Sequence, residues 1–368
     1  MSDWYKISNE DEVASPALLV YPDRIAENIQ RMIKSAGGAE HLRPHVKTHK
    51  MPQIIAMKLA AGITRFKVAT IAEAEMTAAA GGKDILLSHQ QVGPGVHRFV
   101  ELVKAFPHTR FATIVDNLAT VKAFSDAAQA AGVTLELYVD LNVGMNRTGV
   151  VPGDEAAAVY RAIADSPGLK AAGLHAYDGH LRNADHDALV RDTEKAFQPL
   201  WALVERLRKE GYEVPKIAAS GTPTFPLLAK HADVEVGCGT TVLWDFGQPE
   251  ASPDLDFLNA AVLLTRVISK PSPGRLCLDL GHKAVASEMP HPRVKLFGLE
   301  DANFVMHSEE HLVLETPRAD EFPVGTVFYG LPRHICPTVA LHHDVWVVRD
   351  GKAVERWEVT ARRRRITI

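Results

Sequence analysis

The sequence predicts an α/β fold, with a closed (β/α)8 barrel over residues 15–250 and a mostly β domain over residues 255–368, which residues 1–14 can join. Three observations carry this expectation. From about residue 22 to about residue 245, short apolar runs alternate with helical periods, and about eight such units form a ring of parallel strands. An open doubly wound sheet shares that alternation, but no GxGxxG fingerprint follows the first strand. Beyond about residue 255 the texture changes to short β-type runs broken by proline and glycine.

The elements follow in order. In "PDRIAENIQRMI", Ile25, Ile29, Met32 and Ile33 share a helical face, and Pro22 and Asp23 suit the helix start. "LRPHVK" reads as the first barrel strand. "PQIIAMKLAAG" reads as a helix stopped at Gly62, a residue that accepts the left-handed C-terminal conformation. "RFKVAT", "DILLS", "RFATIVD", "LELYVDLN", "KAAGLHAY", "KIAAS" and "DVEVG" supply the other seven strands, with helical stretches such as "AEAEMTAAA", "GVHRFVELVKAF" and "LATVKAFSDAAQAAG" between the earlier ones. In the second region the Asp350-Gly351 pair of "VVRDGKAVERW" is a hairpin signal.

Composition narrows the function. The chain has 368 residues and a formal net charge of −4, so no nucleic-acid or membrane partner is expected. The C-terminal "ARRRR" reads as a solvated or subunit-contacting end. Cys238, Cys277 and Cys336 are too few for a disulfide framework and point to a reducing compartment. Without a secretory leader or a bilayer-length apolar run, the protein is expected to be soluble and cytoplasmic.

The chemistry of a barrel sits where its strands end. The first run ends in "HVKTHK", which places Lys47 at the mouth. A lysine there can form a Schiff base if burial and nearby cations favour its neutral form, and Arg43, His45, His49 and Lys50 are the candidate cations. The fifth strand ends in "VDLNVGMNRTGV", whose Arg147 suits an anionic oxygen. The sixth ends in "LHAYDGH", where Tyr177 and His180 can stack on or protonate a planar ligand. The seventh and eighth end in "ASGTPTF" and "VGCGTT". There Ser220, Gly221, Thr222, Gly237, Gly239 and Thr240 offer hydroxyls, small residues and backbone N–H groups suited to a phosphate. In the β domain "PRHICPT" sets His334 and Cys336 two apart. In an extended segment they face one side, as a divalent-metal pair needs.

Taken together, "RPHVKTHK", "VDLNVGMNRTG", "GLHAYDGH", "SGTPTF", "VGCGTTVLWD", "LDLGHKAVASE" and "HICPT" occur in an order that resembles the D-threonine aldolase / D-serine dehydratase family of pyridoxal-phosphate enzymes. The resemblance runs from about residue 15 to residue 366. It implies the alanine-racemase type of fold, in which a (β/α)8 barrel holds pyridoxal phosphate and a β domain follows. It also implies roles. Lys47 holds the cofactor covalently, Arg147 and Tyr177 contact it, and the loops with Ser220, Gly221, Thr222, Gly237, Cys238 and Gly239 hold its phosphate. His334 and Cys336 bind a divalent metal such as zinc, manganese or magnesium. Members of the family are usually homodimers.

The implied reaction is a lyase reaction on a D-3-hydroxy amino acid. The leading expectation is retro-aldol cleavage of D-threonine type to glycine and an aldehyde, with His180 as the base. The alternative is dehydration of D-serine or D-3-hydroxyaspartate, which the His-x-Cys metal pair favours. Racemisation is a third possibility on this fold; it needs a second acid/base, for which "VFYGLPRH" offers Tyr329. A non-enzymatic cofactor-binding protein with a lone barrel is disfavoured by the long β domain.

Overall fold

Seven short parallel strands build the first sheet: β2 (Arg65–Val68), β3 (Asp84–Leu87), β4 (Arg110–Val115), β5 (Leu135–Leu141), β6 (Leu169–Ala176), β7 (Ile217–Ala219) and β8 (Val234–Val236), paired in chain order. A strand β1 (Ala17–Val20) precedes them in the chain and joins the other sheet. The structure is a computed structural model that describes residues 3–368. Leu86, Ala112, Ile114, Tyr138, Ala172 and Ala218 pack together as one buried cluster of the barrel. Between the strands run α2 (Pro52–Ala60), α3 (Ile71–Ala79), α4 (Pro94–Ala105), α5 (Leu118–Ala131), α6 (Asp154–Asp165) and α7 (His186–Lys209), after α1 (Pro22–Ala36). Local chemistry sets their ends. Thr70 and Asn117 accept N–H bonds at the starts of α3 and α5, and Gly62 and Gly132 take positive φ just beyond α2 and α5.

The eighth stave differs from expectation. "LRPHVK" forms no strand; Leu42 and His45 make only isolated bridges, to Val236 and Lys67, and Val46–Thr48 is a turn of 3-10 helix. Pro44 has no N–H to donate, so a regular ladder is broken there. The segment nevertheless closes the ring. Arg43 N–H donates to Val236 O at 2.9 Å, His45 N–H to Cys238 O at 2.9 Å, and Lys67 N–H to Pro44 O at 3.1 Å.

A belt of charge runs round the strand starts. Arg43 Nε lies 2.6 Å from Glu235, and its Nη1 lies 2.7 Å from Asp84. Arg110 joins Asp84 to Glu136, Arg65 reaches Glu235 at 3.3 Å, and Lys170 reaches Glu136 at 3.5 Å. Positive and negative side chains thus alternate from β2 to β6. Most of the belt is partly solvated and adds little, but Arg43 and Glu235 are both almost fully buried. Arg43 is therefore a closing pin at the strand starts rather than a cation tuning Lys47.

The second sheet has nine strands. It contains β1, β9 (Ala261–Ser269), β10 (Arg275–Leu278), β11 (Val294–Leu296), β12 (Asn303–His307), β13 (Leu312–Glu315), β14 (Val327–Pro332), β15 (Asp344–Arg349) and β16 (Lys352–Glu358). β1 lies between β9, antiparallel, and β15, parallel. It is thus not part of the barrel region expected from residue 15. Asp350 and Gly351, both at positive φ, turn β15 into β16 as the sequence predicts. Ile7, Val13, Leu19, Val262, Leu264 and Tyr329 lie in its buried cluster. By contacts, one compact unit comprises the chain up to Ile29, Thr48–Met51 and Thr240–Arg362; the other comprises Gln30–Lys47, Pro52–Gly239 and Arg363–Ile368. No helix among the described residues is long and apolar enough to cross a membrane.

Replacing Arg43 with Met leaves Glu235 buried without its main partner. The expected loss is about 3–5 kcal/mol of unfolding free energy. Urea melts of Arg43→Met and wild type measure it; coincident midpoints would show that the pin contributes nothing.

Candidate active site

Lys47 lies half-buried in the one-turn helix that follows the closing segment. The other basic residues of that stretch have separate work. Within the barrel unit, His45 Nδ1 accepts the Lys47 N–H at 3.2 Å. In the β unit, His49 Nδ1 accepts the Met51 N–H at 3.2 Å. Both rings brace the backbone.

The cations that do gather in the mouth surround Tyr177, just past β6. Arg147 Cζ lies 4.8 Å from its ring centroid, Lys67 Nζ 5.5 Å and Lys47 Nζ 5.8 Å, all within cation–π range. Arg147 stands on the loop after β5. Asn142 shapes that loop by accepting the Gly144 and Asn146 N–H groups, each at 3.0 Å, and Asn146 takes a left-handed φ of 52°. Lys67 was not among the expected site residues. Its signal was present, since alternation in "RFKV" sets Arg65 and Lys67 opposite the apolar Phe66 and Val68. Burial, reinforced by Lys47 and Arg147, lowers the Lys67 pKa to about 7, with Asp140 and Asp178 opposing.

Two buried acids organise the surroundings. Asp140 Oδ1 meets His175 Nδ1 at 2.6 Å across the β5–β6 ladder. Burial would raise the Asp140 pKa, but His175 outweighs it and holds the carboxyl below its usual range. Burial, with Lys67, lowers the His175 pKa despite Asp140. His175 Nε2 is buried with no partner among the described residues. Asp178 fastens the loop after β7, accepting the Gly221 N–H and the Thr224 hydroxyl, each at 2.5 Å. Burial outweighs those bonds and raises its pKa.

The loops after β7 and β8 are tied together. Ser220, at φ 80°, accepts the Gly237 N–H on its hydroxyl at 3.0 Å. A Cβ on Gly221 would stand 3.6 Å from the Tyr177 ring, and one on Gly237 would stand 3.3 Å from Lys67 Nζ. Both glycines therefore let backbone come close to the cationic cluster. Thr222 is half-buried and Gly239 buried beside them, while Cys238 is fully buried and lends its carbonyl to His45. The amines, the stacking ring, the orphaned imidazole nitrogen and the glycine cradle fit an aromatic aldehyde bearing a phosphate. His180 is placed differently. It is exposed and stands against Gly144, in a groove of about 390 Å³ lined by Asn142, Val143 and Leu181 but not by Lys47, Lys67 or Tyr177.

In the β unit, His334 and Cys336 flank the start of the short helix Ile335–Leu341, not an extended segment; Pro337 suits that first turn. Cys336 Sγ lies 3.1 Å from the Thr48 hydroxyl and 3.7 Å from that of Thr240. Glu288 takes His334 Nδ1 at 2.5 Å, the arrangement that orients a metal-binding imidazole. Burial disfavours the imidazolium, but Cys336 and Glu288 outweigh it and raise the His334 pKa to about 9. Asp245, pushed up to about 6 by burial, accepts the Ile335 N–H at 2.9 Å. No third His, Cys, Asp or Glu joins the pair in a metal-holding cluster among the described residues. A thiolate and an imidazole backed by a carboxylate fit zinc or a similar ion bound by two side chains, with positions open for water or substrate. Tyr329, the residue racemisation would call on, is buried, donates to Glu10 at 2.9 Å and accepts the Ile7 N–H at 3.3 Å.

Lys67 gives stability a pH dependence. Between its folded pKa of about 7 and the ordinary 10.5, the unfolded chain binds a proton that the folded chain does not. Stability should therefore rise with pH across this window, and Lys67→Met should abolish that rise. In ligand-free protein, the variant's gain in urea midpoint should be larger at about pH 6.5 than at about pH 9.5. An equal gain at both pH values would contradict the depressed pKa.

Comparison with known proteins agrees with the fold. Residues 20–243 match the alanine racemase N-terminal domain, and residues 260–348 match a putative serine dehydratase domain. D-Threonine aldolase of Arthrobacter sp is 31% identical, over 87% of this chain and 85% of its own. The structure of D-threonine aldolase from Filomicrobium marinum superposes with a TM-score of 0.87 at 29% identity, covering 95% of this chain and 96% of that one. D-threo-3-hydroxyaspartate dehydratase from Delftia sp. HT23 does so with a TM-score of 0.82 at 26% identity, covering 94% and 97%. The first match spans more than half of the chain, and this protein therefore belongs to the alanine racemase N-terminal domain family.

Proposed function

We propose that this protein is a pyridoxal-phosphate- and divalent-metal-dependent lyase that cleaves a D-3-hydroxy amino acid, of D-threonine type, to glycine and an aldehyde. The observation that carries the reading is the gathering of Lys47, Lys67 and Arg147 round Tyr177, beside the tied loops of Ser220 and Gly237. When bound, pyridoxal phosphate supplies an electron sink for charge at a substrate Cα, and the metal a Lewis acid for a substrate hydroxyl.

The chain's own groups do the rest. Lys47 Nζ holds the cofactor, and Tyr177 offers a ring face for stacking. Arg147 supplies a cation for an anionic ring oxygen. The backbone of 220–222 and 237–239 cradles the phosphate, with Asp178 keeping the first loop in place. His334 and Cys336 hold the metal, and Glu288 fixes the imidazole. Loss of the β-hydroxyl proton to a base sends the bonding pair of Cα–Cβ toward Cα, releases an aldehyde and leaves Cα to take a proton as glycine; His180, the base the sequence suggests, stands in a separate groove beside Gly144 and is not brought to Lys47 or Tyr177.

Dehydration is the second reading, and the His334-x-Cys336 pair favours it. There Lys47 Nζ takes the Cα proton and the hydroxyl leaves as water; addition of water to the released enamine then gives pyruvate and ammonia from D-serine. The named relatives divide in the same way, into aldolase and dehydratase. Racemisation is disfavoured because Tyr329 is committed to Glu10 and Ile7. We also read the protein as a cytoplasmic homodimer; its three free cysteines support a reducing compartment.

Purified protein, supplied with cofactor and divalent metal, should convert D-threonine to glycine and acetaldehyde and leave L-threonine untouched. Keto acid and ammonia from D-serine or D-threo-3-hydroxyaspartate, without aldehyde from D-threonine, would select dehydration. No product from any of the three would overturn both readings. Chelation, or His334→Ala or Cys336→Ala, should lower metal content and turnover by at least about tenfold. Turnover that survives chelation would remove the metal from the reaction.

A further inference from the structure

Lys67 is expensive to keep where it stands. Its side chain is 3% exposed, and its amine makes no ion pair among the described residues. The charged and titratable groups that act on it are Lys47 and Arg147, which disfavour its charge, and Asp140 and Asp178, which favour it. Asp140 is committed to His175, and Asp178 to Gly221 and Thr224. His175 Nε2 has no partner among the described residues. The buried ring nitrogen awaits a polar atom that the described residues do not supply, and the amine in the same barrel has no carboxylate of its own.

Depth and direction say which part of a ligand would meet the amine. Lys67 is registered opposite His45, two residues before Lys47 on the closing segment, so it enters the barrel below the mouth. Its chain runs along Gly237; a Cβ there would touch Cδ at 3.2 Å and Nζ at 3.3 Å. Both amines stand at similar distances from the Tyr177 ring, 5.5 Å for Lys67 and 5.8 Å for Lys47. A planar ligand attached to Lys47 and lying on Tyr177 would come within reach of the Lys67 amine.

On the cofactor reading above, we propose that Lys67 is a second cofactor-site lysine: its amine, held charged once the anionic cofactor is bound, bonds the pyridoxal-phosphate ring and sets the proton affinity of the Lys47 linkage. A neighbouring cation disfavours a protonated, cationic linkage and lowers the pH at which the proton leaves. Removing that cation should raise it.

The test is a pH titration of the visible absorbance of the holoenzyme, with cofactor affinity measured alongside. In Lys67→Met the midpoint should rise by about one pH unit, and affinity for pyridoxal phosphate should fall roughly tenfold. In Lys67→Arg, which keeps the charge, the midpoint should stay near wild type. If Lys67→Met does not fold, Lys67→Gln gives the same reading. A midpoint and an affinity unchanged in Lys67→Met overturn the proposal alone. A wild-type protein with no visible band, or a band that survives in Lys47→Ala, overturns the cofactor reading and this proposal with it.

Discussion

Arg43, buried between Glu235 and Asp84, is the contact on which the barrel's geometry rests. Its segment is too irregular to hold itself by a ladder, because Pro44 lacks a donor and only isolated bridges form. The ion pair and three backbone bonds hold the segment between β8 and β2 instead. Four residues further on, that anchorage decides where Lys47 stands. A charge network at the strand starts and the Lys47 amine at the mouth are therefore two ends of one short piece of chain. Such a division suits a barrel, whose bottom serves stability and whose top serves chemistry.

At the mouth, the balance of charge explains what the site can accept. Three cationic side chains approach the Tyr177 ring, while the two nearest buried acids are occupied by His175 and by the loop after β7. The local surplus is positive, and the glycine-bearing loops bring backbone close to it. An anionic, planar ligand answers both features. His334 and Cys336 of the β unit follow a different logic, with a soft sulfur, an imidazole and a carboxylate behind the imidazole, a set whose chemistry fits a divalent metal.

Much of this was legible in the sequence, and the failures have physical reasons. Seven strands, the cap at Gly62, the turn at Asp350-Gly351, and the strand-end positions of Arg147, Tyr177, Ser220 and Gly237 follow from periodicity and turn chemistry. "LRPHVK" misled because an apolar run interrupted by proline can be stitched into a sheet without being a strand. β1 is four buried residues in a row, a pattern that cannot say which sheet will take it. Arg43, His45 and His49 look like cations for Lys47 when proximity in sequence is the only guide; Arg43 turns to Glu235 and Asp84, while the two imidazoles accept backbone N–H groups two residues on. Lys67 was readable from alternation, but a lysine in a strand is most simply taken as solvated. Glu288 lies forty-six residues from His334, beyond any local pattern.

The central claim is that Lys47, and not its neighbours Lys50 or Lys67, carries the cofactor. Borohydride reduction of the holoenzyme, followed by proteolysis and mass spectrometry, locates the attachment directly. A phosphopyridoxyl group on Lys47 alone is the expected result. A label on Lys50 or Lys67, or no lysine labelled at all, would contradict the account.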